Sequence, residues 1–507
     1  MKVSKKNLMY YITILFYSLF NIALAYVTVS SNKQIFIKQV NTWLPLVVML
    51  LFNVFLLWRL KKLEKKRIIK FFAFSLVIFG ILYFLLMPFG RVPDESTHFF
   101  RAYEISEGHF LTPKNDDGIG GMERSLDFLV LNDNKSFMTY NNLLKSLNIK
   151  GTDGEKIFFN YSTASLYSPF SYIPQVVGIV IARIFTSSLL VQAYAGRFFN
   201  LLFCILLLTM AYKIIPTHKN VILMLALVPI TCQEIISLAA DGVTISLVIL
   251  FVAYIMRLRH DKEKPITKEN VFWLFTLALC MSLSKIVYAP ICLLAFLIPE
   301  SKFKKKSDKY KIIFIVGFVL LILNLGWLTL ATGYLNEYSE GVNSGLQVKF
   351  ILTHPVHYLL VLLRTISKMI LPYLLQLSGQ ILEWLDFSLT YIYPIAYLFL
   401  LGFVIIVCHD EECSRDISVK ALCGLVFCII VFLIFTSLYV QWTSVGYKEI
   451  LGVQGRYFIP IIILLPCVFC SRKIKISNPF VITKLVYFVL IGYNIYTLCS
   501  LFLLHIY

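Results

Sequence analysis

The chain has 507 residues, of which 58% are hydrophobic and only 15% are charged, and its formal net charge is +19. This apolar fraction exceeds that of an ordinary soluble domain, which the composition therefore excludes. The Lys and Arg residues form short runs between apolar segments, as membrane topology signals do, so the positive charge does not indicate a nucleic-acid partner.

Many windows of about 20 apolar residues predict an all-α polytopic integral membrane protein, because a helix satisfies its own backbone polar groups in lipid. We predict about 13 spans, with the amino terminus in the cytoplasm and the carboxyl terminus outside. The predicted spans are 8–29, 43–60, 71–89, 191–212, 220–238, 240–258, 270–285, 286–299, 311–332, 389–408, 419–440, 457–470 and 479–504.

Two other apolar segments are not counted as spans. If 167–185 or 355–375 crossed the membrane, the basic loops that follow would lie outside, against the positive-inside bias. The first contains two prolines, and the second carries Arg364 and Lys368 among apolar residues. We therefore predict that 167–185 is an interfacial or re-entrant segment and that 355–375 is an external interfacial helix.

The predicted spans and loops divide the chain into three regions. Residues 1–70 form a two-span addition with a basic cytoplasmic loop, 71–475 form the membrane core, and 476–507 form the last span. Within the core, 90–190 is predicted to be an extracytoplasmic loop of short helices, and 333–388 a second external region.

The longest hydrophilic interval opens with PDESTHFFRAY, residues 93–103. If a helix begins at the proline, Asp94, His98 and Arg101 share one face, with Glu95 beside them. Such a face at a membrane exit indicates a functional site. The alternative is an ordinary capped helix start, because acidic residues suit the positive end of the helix dipole.

Two charged residues interrupt apolar sequence at the outer ends of spans. Asp241 lies in one predicted outer hairpin and Lys285 in the next. The apolar runs on either side of Lys285, 271–284 and 286–299, each have 14 residues, about 21 Å of helix against a hydrocarbon core of about 30 Å. We therefore predict that Lys285 lies in a recessed pocket open to lipid, or alternatively that its side chain extends to the headgroups.

The last outer loop ends in GVQGRYFIP, residues 452–460. Its two glycines allow close backbone approach to a ligand and bring Gln454, Arg456 and Tyr457 to the start of a span. The planar donors of Arg456 suit a phosphate. Arg and Tyr also serve as ordinary interface anchors, which is the alternative interpretation.

These motifs predict that one external rim gathers acidic and basic side chains from distant parts of the chain. A carboxylate can deprotonate an acceptor hydroxyl or hold a divalent cation, and Lys and Arg can neutralise a phosphate leaving group. The acids are Asp94, Glu95 and Asp241, and the bases are Arg101, Lys285 and Arg456.

Over roughly residues 70–475, the chain resembles the bacterial membrane proteins grouped as domain of unknown function 2142. The resemblance rests on PDESTHFFRAY, YSPFSYIPQ, AGRFFN and GVQGRYFIP, together with Asp241 and Lys285. That family is placed among the GT-C glycosyltransferases, which use polyprenyl-phosphate-linked sugars outside the membrane. The resemblance therefore implies a GT-C-like helical bundle.

The resemblance also implies roles for individual residues. Asp94 corresponds to the acid that is the catalytic base or a metal ligand in GT-C enzymes, with Glu95 adjacent to it. Lys285 would contact the donor phosphate, and Arg456 would be a second phosphate ligand. The other substrate-binding candidates are His98, Arg101, Asp241, Gln454 and Tyr457. The cofactor stays open; Asp94 and Glu95 suit a divalent cation such as Mg²⁺ or Mn²⁺.

The sequence thus favours an integral-membrane glycosyltransferase of the bacterial cytoplasmic membrane. It would move a sugar from a polyprenyl-phosphate donor to a cell-surface glycan or glycolipid on the extracytoplasmic side, with inversion at the anomeric carbon. Besides these substrates its partners would be membrane lipids. The alternatives are an exporter, flippase or polymerase of lipid-linked glycans, and a non-catalytic protein of envelope assembly.

Overall fold

The fold is known from a computed structural model of the chain. It describes residues 5–33, 43–132, 139–151, 154–261, 263–334, 341–407, 416–471, 474 and 478–506. Parts of several predicted regions therefore lie outside the described residues. In the amino-terminal addition these are 1–4 and 34–42, in the loop 90–190 they are 133–138 and 152–153, and in the region 333–388 they are 335–340. The others are residue 408 of one predicted span, 472–473 and 475 at the end of the core, and 476–477 and 507 in the last region.

The described residues are mostly helical. The α-helices are α1 (Lys5–Lys33), α2 (Trp43–Lys61), α3 (Ile68–Leu86), α4 (Glu95–Ser106), α5 (Leu129–Asn132), α6 (Tyr140–Lys145), α7 (Ser162–Ser165), α8 (Ile173–Phe185), α9 (Leu189–Ile214), α10 (Lys219–Leu227), α11 (Pro229–Ile235), α12 (Asp241–His260), α13 (Lys268–Ser284), α14 (Lys306–Ala331), α15 (Ser344–Thr353), α16 (Pro355–Leu377), α17 (Ile392–Ile406), α18 (Ile417–Trp442), α19 (Ile459–Ile462), α20 (Leu465–Phe469) and α21 (Pro479–His505). The 3₁₀ helices are Lys65–Arg67, Leu126–Phe128, Ser146–Asn148, Pro169–Tyr172, Ile286–Leu297, Glu300–Lys302, Thr332–Tyr334 and Gly455–Phe458.

Two small antiparallel sheets complete the described structure. Strand β1 (Gly121–Ser125) pairs with β2 (Lys156–Asn160), with Glu123 opposite Phe158. Strand β3 (Ile381–Leu382) pairs with β4 (Phe387–Ser388). The loop 90–190 therefore contains short helices, as predicted, and also a strand pair that the sequence did not predict.

Nine helical segments of the described chain are long and apolar enough to cross a membrane. Eight of them coincide with predicted spans, which confirms a polytopic helical membrane protein. The nine are Met9–Ser31, Trp43–Lys61, Lys65–Leu86, Leu189–Ile214, Asp241–His260, Lys306–Tyr334, Pro355–Leu377, Ile417–Trp442 and Pro479–His505. The ninth segment, Pro355–Leu377, coincides with no predicted span and covers the segment 355–375, which we predict to be interfacial.

The other five predicted spans form shorter or broken helices. The segment 220–238 is interrupted before Pro229, and 457–470 is divided into three short helical pieces that contain two prolines. The segment 286–299 forms a 3₁₀ helix with Pro290 inside it, because proline removes a backbone donor and clashes with the preceding turn. The remaining two form α13 and α17, with 17 and 15 residues. The number of 13 spans therefore stays a prediction.

The basic loops lie together at one end of the bundle, which we call the basic end. Lys484, in the first part of α21, donates to the backbone carbonyl of Lys61 at 3.2 Å. Arg259, at the end of α12, pairs with Asp416, just before α18, at 2.8 Å. Helices that begin or end in basic loops therefore share this end, as the positive-inside bias requires.

We call the opposite end the rim, formed by residues 87–95, 236–241, 284–286 and 443–456. The segment 167–185 contacts the rim near its start and helix α4 near its end. Ser171 donates to the carbonyl of Ser284 at 3.0 Å, and Arg183 donates to Ser106 Oγ at 2.6 Å, on the helix that follows the first of these loops. Because α4 belongs to the loop 90–190, which is predicted to be extracytoplasmic, these two contacts support the predicted interfacial position of the segment.

Helix α16 lies against the rim over much of its length. Lys368 pairs with Glu449 at 2.9 Å, Thr365 Oγ1 accepts from the backbone of Ile450 at 3.0 Å, and the Gln376 side chain accepts from Gly455 N–H at 2.7 Å. All three partners belong to the rim residues 443–456. These contacts support an external position for α16, although its length also suits a crossing.

The centre of the bundle is closely packed around α12 and α21. In their most apolar windows, 94% of the residues of α12 and 83% of those of α21 are buried. Helix α12 runs from the rim at Asp241 to the basic end at His260, and α13 returns to the rim at Ser284. These helices fix the positions at which Asp241 and Lys285 emerge.

The arrangement predicts which positions an impermeant thiol reagent reaches in intact cells. The exposed residues Asp116 and Lys448 lie at the rim side, and the exposed Lys305 lies at the basic end. Variants Asp116→Cys and Lys448→Cys should be labelled, and Lys305→Cys should be labelled only after the membrane is permeabilised. The wild type measures the background from native cysteines. Labelling of Lys305→Cys in intact cells would contradict the predicted orientation.

Candidate functional site

Five charged side chains from distant parts of the chain meet at the rim. We call them the rim cluster: Asp94, Glu234, Asp241, Lys285 and Arg456. Asp94 directly precedes α4, Glu234 lies in α11, Asp241 begins α12, Lys285 follows α13, and Arg456 lies in the 3₁₀ helix Gly455–Phe458. The fold thus joins three of the sequence motifs in one site.

Arg456 is the centre of the rim cluster. Its Nη1 donates to Glu234 Oε1 at 3.1 Å and its Nη2 to Asp94 Oδ2 at 3.3 Å. Its Nε lies 3.4 Å from Asp241 Oδ2. The side chain is only 4% exposed, so it is not an interface anchor. The planar guanidinium suits this position because its donors point toward several carboxylates at once.

Lys285 lies in a recessed pocket, as the short flanking helices predicted. Its Nζ donates to Asp241 Oδ1 at 3.0 Å and lies 4.2 Å from the centre of the Tyr457 ring. The side chain is 17% exposed, so it does not extend to the headgroups. Lys285 lines a cavity of about 190 Å³ together with Tyr167, Tyr288 and Tyr457.

Asp94 presents the accessible carboxylate of the rim cluster. Its side chain is 49% exposed, against 13% for Asp241 and 0% for Glu234. Its backbone adopts the left-handed conformation, with φ of 64°, and its side chain does not cap α4. Such a conformation is strained for an aspartate and occurs often at functional sites. It turns the carboxylate toward Arg456, so the capped-helix alternative does not explain this residue.

Glu95 has a structural role, although we predicted it to be catalytic or a metal ligand. It is fully buried and pairs with Arg197, whose Nε lies 2.6 Å from Oε1. Its oxygens also accept from the backbone N–H of Gly90 at 2.8 Å and of Leu238 at 3.1 Å. Both oxygens are occupied, so Glu95 does not face substrate, and the pair Asp94 and Glu95 does not fit a metal ion.

The face predicted for Asp94, His98 and Arg101 is divided in the structure. His98 Nδ1 lies 2.6 Å from the Tyr172 hydroxyl, and its ring contacts the edge of Tyr167, a residue of the cavity. Burial lowers the pKa of His98 to about 4, although the carboxylate of Asp94 opposes this shift, so the imidazole is neutral near pH 7. His98 therefore supports the cavity wall.

Arg101 lies outside the rim cluster. It is fully buried, pairs with Glu104 at 2.9 Å and donates to the carbonyl of Phe110 at 2.7 Å. Burial raises the pKa of Glu104, and the charge of Arg101 opposes this shift. This pair holds α4 against the loop that follows it, so the structure does not bring Arg101 to the substrate position that we predicted.

The motif around Arg456 depends on one glycine. A Cβ at Gly455 would lie 2.3 Å from the carbonyl oxygen of Tyr373 in α16, so only glycine allows this approach. The backbone carbonyl of Tyr457 accepts from the Tyr288 hydroxyl at 2.7 Å, which holds the backbone of the residue whose ring contacts Lys285. The amide oxygen of Gln454 is buried and has no hydrogen-bond donor among the described residues, so it has capacity for a ligand.

Sequence reasoning missed Glu234 and Tyr167. Glu234 is a lone acid inside the apolar segment 220–238, and an ionisable residue within a predicted span is by itself a signal of a functional site. Tyr167 begins YSPFSYIPQ, but an aromatic residue in an interfacial segment gives no such signal. The position of Tyr167 therefore required the three-dimensional contacts.

A family model described as predicted membrane protein (DUF2142) matches residues 74–465. The chain belongs to this family. The match contains all five residues of the rim cluster, and α1 and α2 precede it. No curated protein and no solved structure matches this member of the DUF2142 family.

The different surroundings of Asp94 and Glu95 predict different effects of removing each charge. Glu95→Gln leaves Arg197 buried without its counter-ion, and breaking a buried pair costs about 3 to 5 kcal/mol. Asp94→Asn changes a half-exposed side chain and should cost less than about 1 kcal/mol. The measurement is the thermal unfolding midpoint of each purified variant in detergent. Equal midpoints for the two variants would contradict the structural assignment of Glu95.

Proposed function

We propose that the protein is an integral-membrane glycosyltransferase of the GT-C type. It moves a sugar from a polyprenyl-phosphate donor to an acceptor hydroxyl at the extracytoplasmic face of the bacterial cytoplasmic membrane. The observation that carries the proposal is the rim cluster itself, in which the half-exposed carboxylate of Asp94 contacts the buried Arg456, and the partly buried Lys285 belongs to the same group of charges through Asp241. These are the groups that a displacement at a phosphate-bearing carbon needs.

Asp94 is the general base in this proposal. Its carboxylate takes the proton of the acceptor hydroxyl as the hydroxyl oxygen attacks the anomeric carbon of the donor sugar. The bond from that carbon to the phosphate oxygen breaks, and polyprenyl phosphate leaves with the electron pair. A single direct displacement inverts the configuration at the anomeric carbon. Asp94 suits this role because Asp241 and Glu234 are buried against cations.

Lys285 and Arg456 stabilise the leaving phosphate. Lys285 lines the cavity, and the Gln454 amide is adjacent in sequence to the 3₁₀ helix that carries Arg456. An apolar groove of about 620 Å³ shares Ser282 and Ile286 with this cavity and suits the donor's polyprenyl chain. We call it the donor groove. The phosphate would then lie at the cavity and the chain in the groove.

The charges of the rim cluster couple the two halves of the reaction. When all its members are ionised, three carboxylates and two cations give the cluster a net charge of −1. Proton transfer to Asp94 removes one negative charge from the cluster as the phosphate gains one. It also releases Arg456 Nη2 from its weak 3.3 Å contact with Asp94, so that this donor can turn to the phosphate.

The packing of the bundle favours transfer over transport. An exporter or flippase needs a polar path between the two membrane faces, whereas α12 and α21 are 94% and 83% buried in their most apolar windows. The charges of the rim cluster lie together at one end of the helical bundle. These features support a reaction at the membrane surface.

The test is analysis of envelope glycans and lipid-linked sugars in a deletion strain. Complementation with wild type should restore a sugar, and Asp94→Asn should lower the transfer rate by about 10²- to 10⁴-fold, because it removes the general base. Lys285→Met should have a similar effect, and the lipid-linked donor should accumulate with both variants. Asp116→Asn, at an exposed acid away from the rim cluster, is the matched control.

Two outcomes would contradict the proposal. Full restoration by Asp94→Asn at wild-type protein levels would remove the base from the mechanism. Accumulation of a finished glycan on the cytoplasmic side of the deletion strain would instead indicate transport.

A further inference from the structure

Helix α14 stands apart from the bundle, and a groove opens on each side of it. Only 11% of the residues in its most apolar window are buried. The donor groove lies between α14 and the 3₁₀ helix Ile286–Leu297. A second groove, of about 920 Å³, lies between α14 and the segment 167–185. We call it the second groove.

The donor groove extends from the cavity toward the basic end. It shares Ser282 with the cavity, and Phe296 and Ile313 line it near the basic loops. The 3₁₀ helix beside it has 12 residues, about 24 Å at 2 Å per residue. This length is most of the hydrocarbon thickness and suits a long polyprenyl chain.

The second groove is confined to the rim half of the molecule. The part of α14 that lines it is the last third of the helix, residues 322–330, and its upper edge is formed by Ile105 and Phe110 of the loop 90–190. It shares Leu283 and Trp327 with the Lys285 cavity. The Trp327 indole donates to the carbonyl of Leu166 at 3.0 Å, which holds this wall in place.

The chemistry of the second groove points to a lipid chain. Apart from two serines and backbone atoms, its lining is apolar, and one of those serines, Ser168, already donates to the carbonyl of Leu283 at 2.7 Å. Carbohydrate needs polar partners, which such a wall does not supply. A hydrocarbon chain needs no polar partners. A headgroup attached to a chain in this groove would enter the same cavity from the side opposite the donor groove.

We propose that the second groove holds the lipid chain of the acceptor, so that the acceptor is a membrane-anchored glycolipid and not a detached cell-wall polymer. This inference rests on the proposed function, because it assigns the donor to the other groove. Two lipids on either side of α14 would bring the donor's anomeric carbon and a headgroup hydroxyl of the acceptor together at the rim cluster. The shared α14 would thus separate two chains while one cavity joins their headgroups.

Two glycines of α14 provide a matched test. Gly326 lines the second groove and Gly317 lines the donor groove, and a Cβ at either position meets no atom within 4 Å. Leucine at each position adds bulk to one groove from a Cβ that meets no neighbour, and it favours the helix. Gly402→Leu, in α17, is the control for added bulk, because its Cβ also meets open space and it lines neither groove.

The readouts are binding of tritiated undecaprenyl phosphate to purified variants and transfer of sugar from native donor into organic-extractable lipid in membranes. Gly317→Leu should weaken undecaprenyl phosphate binding at least tenfold, and Gly326→Leu should leave this binding unchanged but lower transfer at least tenfold. The control variant Gly402→Leu should match wild type both in undecaprenyl phosphate binding and in sugar transfer.

Three results would overturn the inference. Unchanged transfer by Gly326→Leu would mean that the second groove holds only bulk lipid. Weakened undecaprenyl phosphate binding by both variants would mean that both grooves belong to the donor. Product that remains in the insoluble wall fraction would identify a polymer acceptor. Failure of the proposed function is distinguishable, because wild type would then transfer no sugar, whether or not it binds undecaprenyl phosphate.

Discussion

The burial of one guanidinium among three carboxylates is the interaction on which the site depends. Arg456 joins the start of α4, helix α11 and the start of α12, which are far apart in the chain. A charge that is only 4% exposed is tolerated only with such partners. Pairing of the buried charges therefore holds these segments together at the rim. Removal of Arg456 would leave the buried Glu234 without its cation, and Asp241 would keep only Lys285 as a cationic partner.

A second layer of buried charges holds these segments in place. Glu95 pairs with Arg197 and accepts from Gly90, which places the turn before Asp94. Glu383 contributes to the same layer. Its backbone N–H donates to the side chain of Gln233, the neighbour of Glu234 in α11, at 2.9 Å. The Glu383 carboxylate pairs with an arginine and a histidine from other segments. The orientation of Asp94 and Arg456 therefore depends on contacts with no direct part in the proposed chemistry.

Hydropathy and the positive-inside bias were sufficient to bring Asp241, Lys285 and Arg456 to one rim, because they determine where apolar segments end. They could not separate Asp94 from Glu95, since the direction of each side chain depends on the left-handed backbone at Asp94. Glu234 was missed although a lone acid within the predicted span 220–238 already indicates a functional site; its pairing with Arg456 required the three-dimensional contacts. Arg101 follows the predicted helical spacing but pairs within its own helix, which no periodicity reveals.

The charge balance of the rim cluster gives the most direct test, through the affinity of the purified Asp94→Asn variant for undecaprenyl phosphate. Asparagine removes one negative charge and weakens the hold on Arg456 Nη2. The account predicts tighter binding than in wild type, by about fivefold for a change of about 1 kcal/mol, in a variant that no longer transfers sugar. Asp116→Asn should not alter the affinity. Weaker or unchanged binding by Asp94→Asn would contradict the proposal that Asp94 and the phosphate share Arg456.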